Sequence, residues 1–214
     1  MATHAYTVAP GYAELEQGAR AFGVEGVREA TAWDFNLKIG VRRGVQLGVF
    51  GPAYLRTSAG VGVGDLGVAI KFARAVSSRT AVAVVPAVSF PTGDARRGLG
   101  VGRALASAIG VVSGDLPEAF HFDLNAGPLG IGAGTPQWFT SVGLSRGGRV
   151  GAVTELFDFT KSGAGPRQRG FLAAAVVQLA EWAVLDAGGA LGLSRETPDQ
   201  LFIGLTTNLG RIFK

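Results

Sequence analysis

The groups able to do chemistry in this chain recur at a spacing of two. In Phe120-His121-Phe122-Asp123-Leu124-Asn125 an imidazole, a carboxylate and a carboxamide share one side of an extended strand. Three large apolar groups share the other side. In Trp33 to Val41, Asp34, Asn36 and Lys38 oppose Trp33, Phe35 and Leu37. Asp65 and Lys71 line up with Gly67 and Ala69, against Leu66, Val68 and Ile70. Glu14 and Glu16 face together, Glu155 marks one face of Arg149 to Phe159, and Asp186 lies within Trp182 to Leu193. A histidine beside a carboxylate is the usual start of an acid–base or metal site. Either chemistry needs a further partner, a nucleophile or more ligands, and His121 is the one histidine within a strand. The reading adopted is an interior, hydrogen-bonded imidazole, with no catalytic residue, metal or cofactor. Together Glu14, Glu16, Asp34, Asn36, Lys38, Asp65, Lys71, His121, Asp123, Asn125, Glu155 and Asp186 point to a polar pathway that selects solutes by charge and width. Acids outnumber bases, which gives an open path a mild cation preference. Pairs such as Asp34–Lys38 and Asp65–Lys71 would fill the interior instead, and that alternative stays open.

Strands with two unlike faces must position these groups. A sandwich core would not tolerate the charged face, and a solvated face is seldom so rich in Gly and Ala. A barrel with lipid outside and water inside accommodates both. Composition agrees. Gly makes up 34 of 214 residues without a Gly-X-Y period. Charged residues are only 17 %, hydrophobic residues 47 %, and the mean hydropathy is +0.29. Yet no run of 18 apolar residues exists for a membrane helix, and a closed barrel is the other backbone solution in lipid. Cysteine is absent, which removes disulfides, thiolate ligands and thiol catalysis. The net charge of +4 is not clustered, so no nucleic-acid partner is expected. The Gly-rich stretches Gly60 to Gly64, Gly98 to Gly102 and Gly130 to Gly134 lack the lysine and hydroxyl of a phosphate loop.

The expected fold is all-β: a closed antiparallel up-and-down transmembrane barrel of about twelve strands, forming a single domain over 1–214. The sixth strand is expected at Val101 to Val112. The tenth, Gly170 to Leu179, is apolar on both faces and reads equally as helix. Connections are short after strands two, four, eight and ten, and longer after five, seven and nine, as in barrels with periplasmic turns and extracellular loops. The sixth connection, Ser113 to Glu118, breaks that order. The lipid-facing set is Trp33, Phe35, Leu37, Leu66, Val68, Ile70, Phe120, Phe122, Leu124, Ile203, Leu205 and Phe213. Trp33, Trp138, Trp182, Tyr12 and Tyr54 suit interfacial girdles. Phe213 is a near-terminal aromatic of the kind that signals assembly, with Lys214 after it. No signal peptide is visible around Met1-Ala2-Thr3-His4, so a mature chain with an added start Met is expected.

Several short segments carry a family resemblance. They are Gly62-Val63-Gly64-Asp65-Leu66 with Lys71-Phe72, Pro91-Thr92-Gly93-Asp94, His121 and Asn125, Glu155, Leu185-Asp186 with Gly192-Leu193, Pro198-Asp199, and Phe202-Ile203-Gly204-Leu205. In order and spacing, from about Glu16 to Phe213, the chain resembles the transporter family named for the meta-pathway of phenol degradation. The resemblance implies a β-barrel of the bacterial outer membrane, in Gram-negative cells, that passes small and often aromatic compounds. The expected function is therefore a channel for passive uptake of small hydrophobic or aromatic molecules, and not an enzyme. A non-conducting structural or ligand-holding barrel, lipocalin-like if soluble, is the alternative. The expected partners are outer-membrane lipids, the small-molecule solute and the barrel-assembly machinery during insertion. Lipopolysaccharide is expected through Arg96, Arg97, Arg103, Lys161, Arg167 and Arg169 on the long-loop rim.

Overall fold

A computed structural model describes residues 3–24, 27–162 and 165–213, excepting the side chains at 24 and 27–29. Alternating residue types drive extended chain throughout. The strands are β1 (Tyr12–Val24), β2 (Val27–Arg42), β3 (Val45–Thr57), β4 (Gly60–Gly62), β5 (Leu66–Ala75), β6 (Thr80–Phe90) and β7 (Leu105–Asp115). They continue with β8 (Phe120–Leu129), β9 (Gln137–Arg146), β10 (Val150–Phe159), β11 (Gln168–Ala180), β12 (Ala183–Gly192) and β13 (Asp199–Arg211). Strands follow one another around the wall, every pairing is antiparallel, and β1 bonds both β2 and β13. That last pairing closes the sheet. The short β4 and the longer β5 both pair with β3 and together make one stave. The result is a closed barrel of twelve staves.

One rim has only tight connections: Arg43–Gly44, Val76–Arg79, Leu116–Ala119, Gly147–Arg149 and Glu181–Trp182. The other rim carries the longer loops, including 91–104, 130–136, 160–167 and 193–198. Its first connection is tight too, since Val24 pairs with Val27. The expected sixth strand is shifted. β7 starts at Leu105, because the Val101 N–H is drawn away to the Asp65 carboxylate (2.7 Å) and Gly102 adopts φ +75°. The chain then runs on to Asp115, and the turn after β7 becomes as short as its neighbours on that rim. The ambiguous tenth segment is strand β11, paired on both edges. Met1, Ala2 and Lys214 lie outside the described residues.

The outer face is apolar and open. Val142, Leu156 and Ile203 are 57 %, 55 % and 51 % exposed, although all three sit well inside their strands. A soluble protein would cover such a belt. Trp33, Tyr54 and Trp138 are exposed toward the long-loop end, and Tyr12 and Trp182 at the short-turn end. Phe213 follows β13, its N–H reaching the Gly11 carbonyl at 3.3 Å. Replacing Val142 by Arg places a guanidinium in the middle of the outer belt. The expected result is a loss of about 2–4 kcal/mol in folding equilibria measured in lipid vesicles, with little change in detergent.

Candidate functional site

The interior is built by strand register. Opposite one another on β1 and β2 stand Glu14 and Lys38, Glu16 and Asn36, and Gly18 and Asp34. The Lys38 ammonium donates to Glu14 Oε1 at 3.0 Å and also to Glu16, whose other oxygen accepts from Asn36 Nδ2 at 3.0 Å. Arg20, two residues beyond Gly18 on the same face, is paired to Asp34 and lies over the Phe22 ring at 4.8 Å. Neither expected pair, Asp34–Lys38 or Asp65–Lys71, forms. Residues four apart on one strand are separated by about 13 Å, whereas direct cross-strand neighbours meet at about 5 Å. Cross-strand partners therefore win. Asp65 stands just ahead of β5 at the rim, where it accepts from the N–H groups of Gly93 (3.0 Å) and Val101 (2.7 Å). It fastens loop 91–104, a task the sequence reading did not give it.

Lys71 has another partner altogether. The segment from Thr3 to Pro10 runs inside the barrel before β1 begins. Lys71 Nζ donates to Thr3 Oγ1 (3.0 Å), the His4 carbonyl (2.7 Å) and the Tyr6 carbonyl (3.3 Å). Thr3 N–H reaches Asn125 Oδ1, Ala5 N–H reaches Ser113 Oγ at 2.7 Å, and Val8 N–H reaches Gln46 Oε1 at 2.9 Å. Ala5 is fully buried against Ala81, Ala83 and Val111 on the inner wall. Gly40 makes the passage fit: a Cβ there would stand 2.2 Å from the Ala9 carbonyl oxygen and 2.4 Å from that of Val8.

His121 lies at the short-turn end of the interior. Its Nδ1 is 2.7 Å from Asp115 Oδ1 and its Nε2 is 3.3 Å from Asp123 Oδ1. Tyr6 of the inner segment stacks beside it at 5.8 Å between ring centroids, its hydroxyl 3.3 Å from Asp115. Ser113 Oγ donates to Asp123 Oδ1 at 2.5 Å. The carboxylate thus stands between serine and histidine. Nucleophilic catalysis needs the imidazole there, to take the hydroxyl proton. Here Ser113 holds the inner segment instead. Among the described residues no group of three or more His, Asp or Glu side chains could hold a metal ion.

The opposite wall is less polar. Glu155 on β10 is buried beside Gly143 and Leu172, and Asp186 on β12 lies across Gly204, where a Cβ would come within 2.6 Å of its Oδ1. Toward the long-loop end the interior turns aromatic. Phe159 stacks with Phe139 at 4.8 Å and meets Phe157 edge-on at 5.8 Å. Phe157 covers Gly170, and Phe50 on β3 covers Gly67. The sequence reading missed these rings and Arg20. Parity alone would have found them, since Phe157 and Phe159 share a face with Glu155, and Arg20 with Glu16. The inner segment left no such signal, because it has no period.

No protein-family model and no curated protein matches the chain. Solved structures do. An outer membrane channel from Pseudomonas putida superposes with a TM-score of 0.71 at 11 % identity, covering 96 % of this chain and 98 % of that one. The KdgM porin gives 0.65 at 6 % identity, covering 91 % and 98 %. At such identities the likeness is one of fold, and it extends over the full length of each.

Lys38 is the hub of the β1–β2 charge network. Lys38→Met leaves Glu14 and Glu16 facing each other without a cation. A destabilisation of about 1–3 kcal/mol is expected in denaturant titrations of the folded barrel, and removing both glutamates as well should recover most of it.

Proposed function

We propose that this chain is an outer-membrane channel through which small solutes diffuse passively. The observation that carries the reading is the division of the wall: a largely apolar belt outside, with most ionisable strand residues inside and the outward Arg74, Arg146, Asp158 and Arg169 confined to the strand ends. In a bilayer a charge on the lipid side is costly and a charge facing a watery interior is not. The fold shared with an outer membrane channel and a porin supports the same reading.

The solute class follows from the two halves of the interior. A molecule arriving from the long-loop side meets Phe139, Phe157 and Phe159 near that rim, with Phe50 deeper, opposite Asn36. Beyond them come charged and amide groups. That order suits a small molecule with an apolar or aromatic body and a polar end, in line with the sequence likeness to the transporter family named for the meta-pathway of phenol degradation. The path is narrow, since twelve staves leave a modest bore once side chains are counted. It runs beside the inner segment, along the wall where Asp186, Gly188, Gly204 and Thr206 face inward. Glu14, Glu16, Asp34, Asn36, Lys38, Lys71, His121, Asp123, Asn125 and Glu155 complete the lining. The inner segment also favours a second reading, a barrel that holds a ligand without conducting.

Planar-bilayer recording separates the two. The channel reading expects small discrete steps with a mild cation preference, and a conductance about twofold larger after deletion of residues 1–10. Lys71→Met should shift recordings toward the deletion phenotype by releasing the segment. Silence from both wild type and deletion in every salt would leave only the ligand-holding barrel.

A further inference from the structure

The outer wall is not uniformly smooth. Toward the long-loop end its residues change from large to small across β11, β12, β13 and β1. Register aligns Ala173, Gly189, Leu201 and Ala21 in one row, and Ala175, Ala187, Ile203 and Ala19 in the next. Only β13 presents bulky groups in these rows, so Leu201 and Ile203 form a ridge with a trough on either side. One hollow, of about 520 Å³, has Ala173 and Gly189 on its floor and Phe171 and Leu191 at its upper end, and it continues past Leu201 to Ala21 and Gly23 of β1. The other, of about 450 Å³, lies over Ala19 and Ala21 and is bounded by Trp33 and Tyr54. Both lie at the long-loop end of the belt and together span β11, β12, β13, β1, β2 and β3.

A charged group sits directly above the first trough. Arg169 is two residues ahead of Phe171 on the same face of β11. It and Arg167 converge on Asp158 of β10, with Arg167 Nη2 3.2 Å from Asp158 Oδ2 and Arg169 Nε 3.3 Å from Oδ1. Two guanidiniums on one carboxylate leave a positive charge and several free N–H donors, and both arginine side chains are about half exposed. Asp199, at the upper end of the trough, is engaged with the Gly192 N–H at 2.8 Å. Cation above, paired apolar troughs below: the complement is a phosphorylated headgroup that carries more than one acyl chain side by side.

We propose that this face binds the lipid A part of lipopolysaccharide, with a phosphate on Arg167 and Arg169 and acyl chains in the troughs flanking Leu201. The inference rests on the outer-membrane reading, which places the long-loop rim in the lipopolysaccharide leaflet. Guanidinium is suited to phosphate because its fork donates two hydrogen bonds at once. Asp158 holds the two arginines in place and competes with the phosphate for them.

The test uses the full chain folded in detergent, with bisphosphorylated lipid A as probe and native mass spectrometry as readout. Dephosphorylated lipid A, phosphatidylglycerol and inorganic phosphate are the comparison ligands. A one-to-one lipid A adduct is expected, about tenfold or more weaker with Arg167→Gln/Arg169→Gln. Asp158→Asn should bind lipid A more tightly than wild type, and Ala173→Leu, which fills the trough while staying apolar, more weakly. Equal adducts with phosphatidylglycerol, retention by inorganic phosphate alone, or indifference to all three variants would overturn the proposal. Insertion into vesicles is scored in parallel. A barrel that inserts but ignores lipid A sinks this inference alone, whereas one that does not insert sinks the outer-membrane reading as well.

Discussion

Backbone hydrogen bonding in a medium without water is the constraint on which the rest of the structure depends. Each strand residue brings an N–H and a C=O, and hydrocarbon offers neither a partner. The pairing of β1 with β13 resolves this by leaving the sheet without an edge. Once the ring is closed, strand alternation does everything else. Residues of one parity face outward, where a bilayer would lie, residues of the other meet one another, and a residue changes side only when a whole strand slips by one.

Closure also explains the character of the interior. Side chains there face across a narrow space and cannot choose distant partners. Those opposed or diagonal to one another in register pair first, which gives the opposed Glu14–Lys38 and Asp115–His121 pairs and the diagonal Lys38–Glu16 and Arg20–Asp34 pairs. Lys71 has no opposed carboxylate, since Gln46 is its partner on β3. Its donors are taken by the Thr3 hydroxyl and the His4 and Tyr6 carbonyls of the inner segment. The inner segment is thus held by the donors and acceptors that strand pairing left over on the wall.

Most of the wall was legible in the residues because a strand writes its two faces into sequence at fixed period. Trp33 to Val41 and Phe120 to Asn125 declare their sides without help. The apolar β11 did not, since both its faces carry apolar side chains, Phe171 and Ala173 outside, Leu172 and Ala174 inside, even though Glu155 and Asp186 stand opposite inner residues of the strand. The start of β7 was misjudged for a different reason. Val101 belongs by type to a strand, but Asp65, thirty-six residues away, takes its N–H. Non-local hydrogen bonds of this kind, like the docking of the N-terminal segment, leave no local pattern. The pairs within strands were likewise misread, because sequence proximity along β2 suggested Asp34 with Lys38 where only register could supply Arg20 and Glu14.

Sidedness is the central claim, and the chain contains no cysteine to interfere with testing it. Single cysteines at positions 200, 201, 203 and 206 of β13, introduced one at a time into the barrel in vesicles, would be probed with a water-soluble maleimide and a lipid-borne quencher. The account predicts aqueous labelling at 200 and 206, and lipid quenching of a fluorophore at 201 and 203. Equal reactivity at all four, or the reverse assignment, would contradict it.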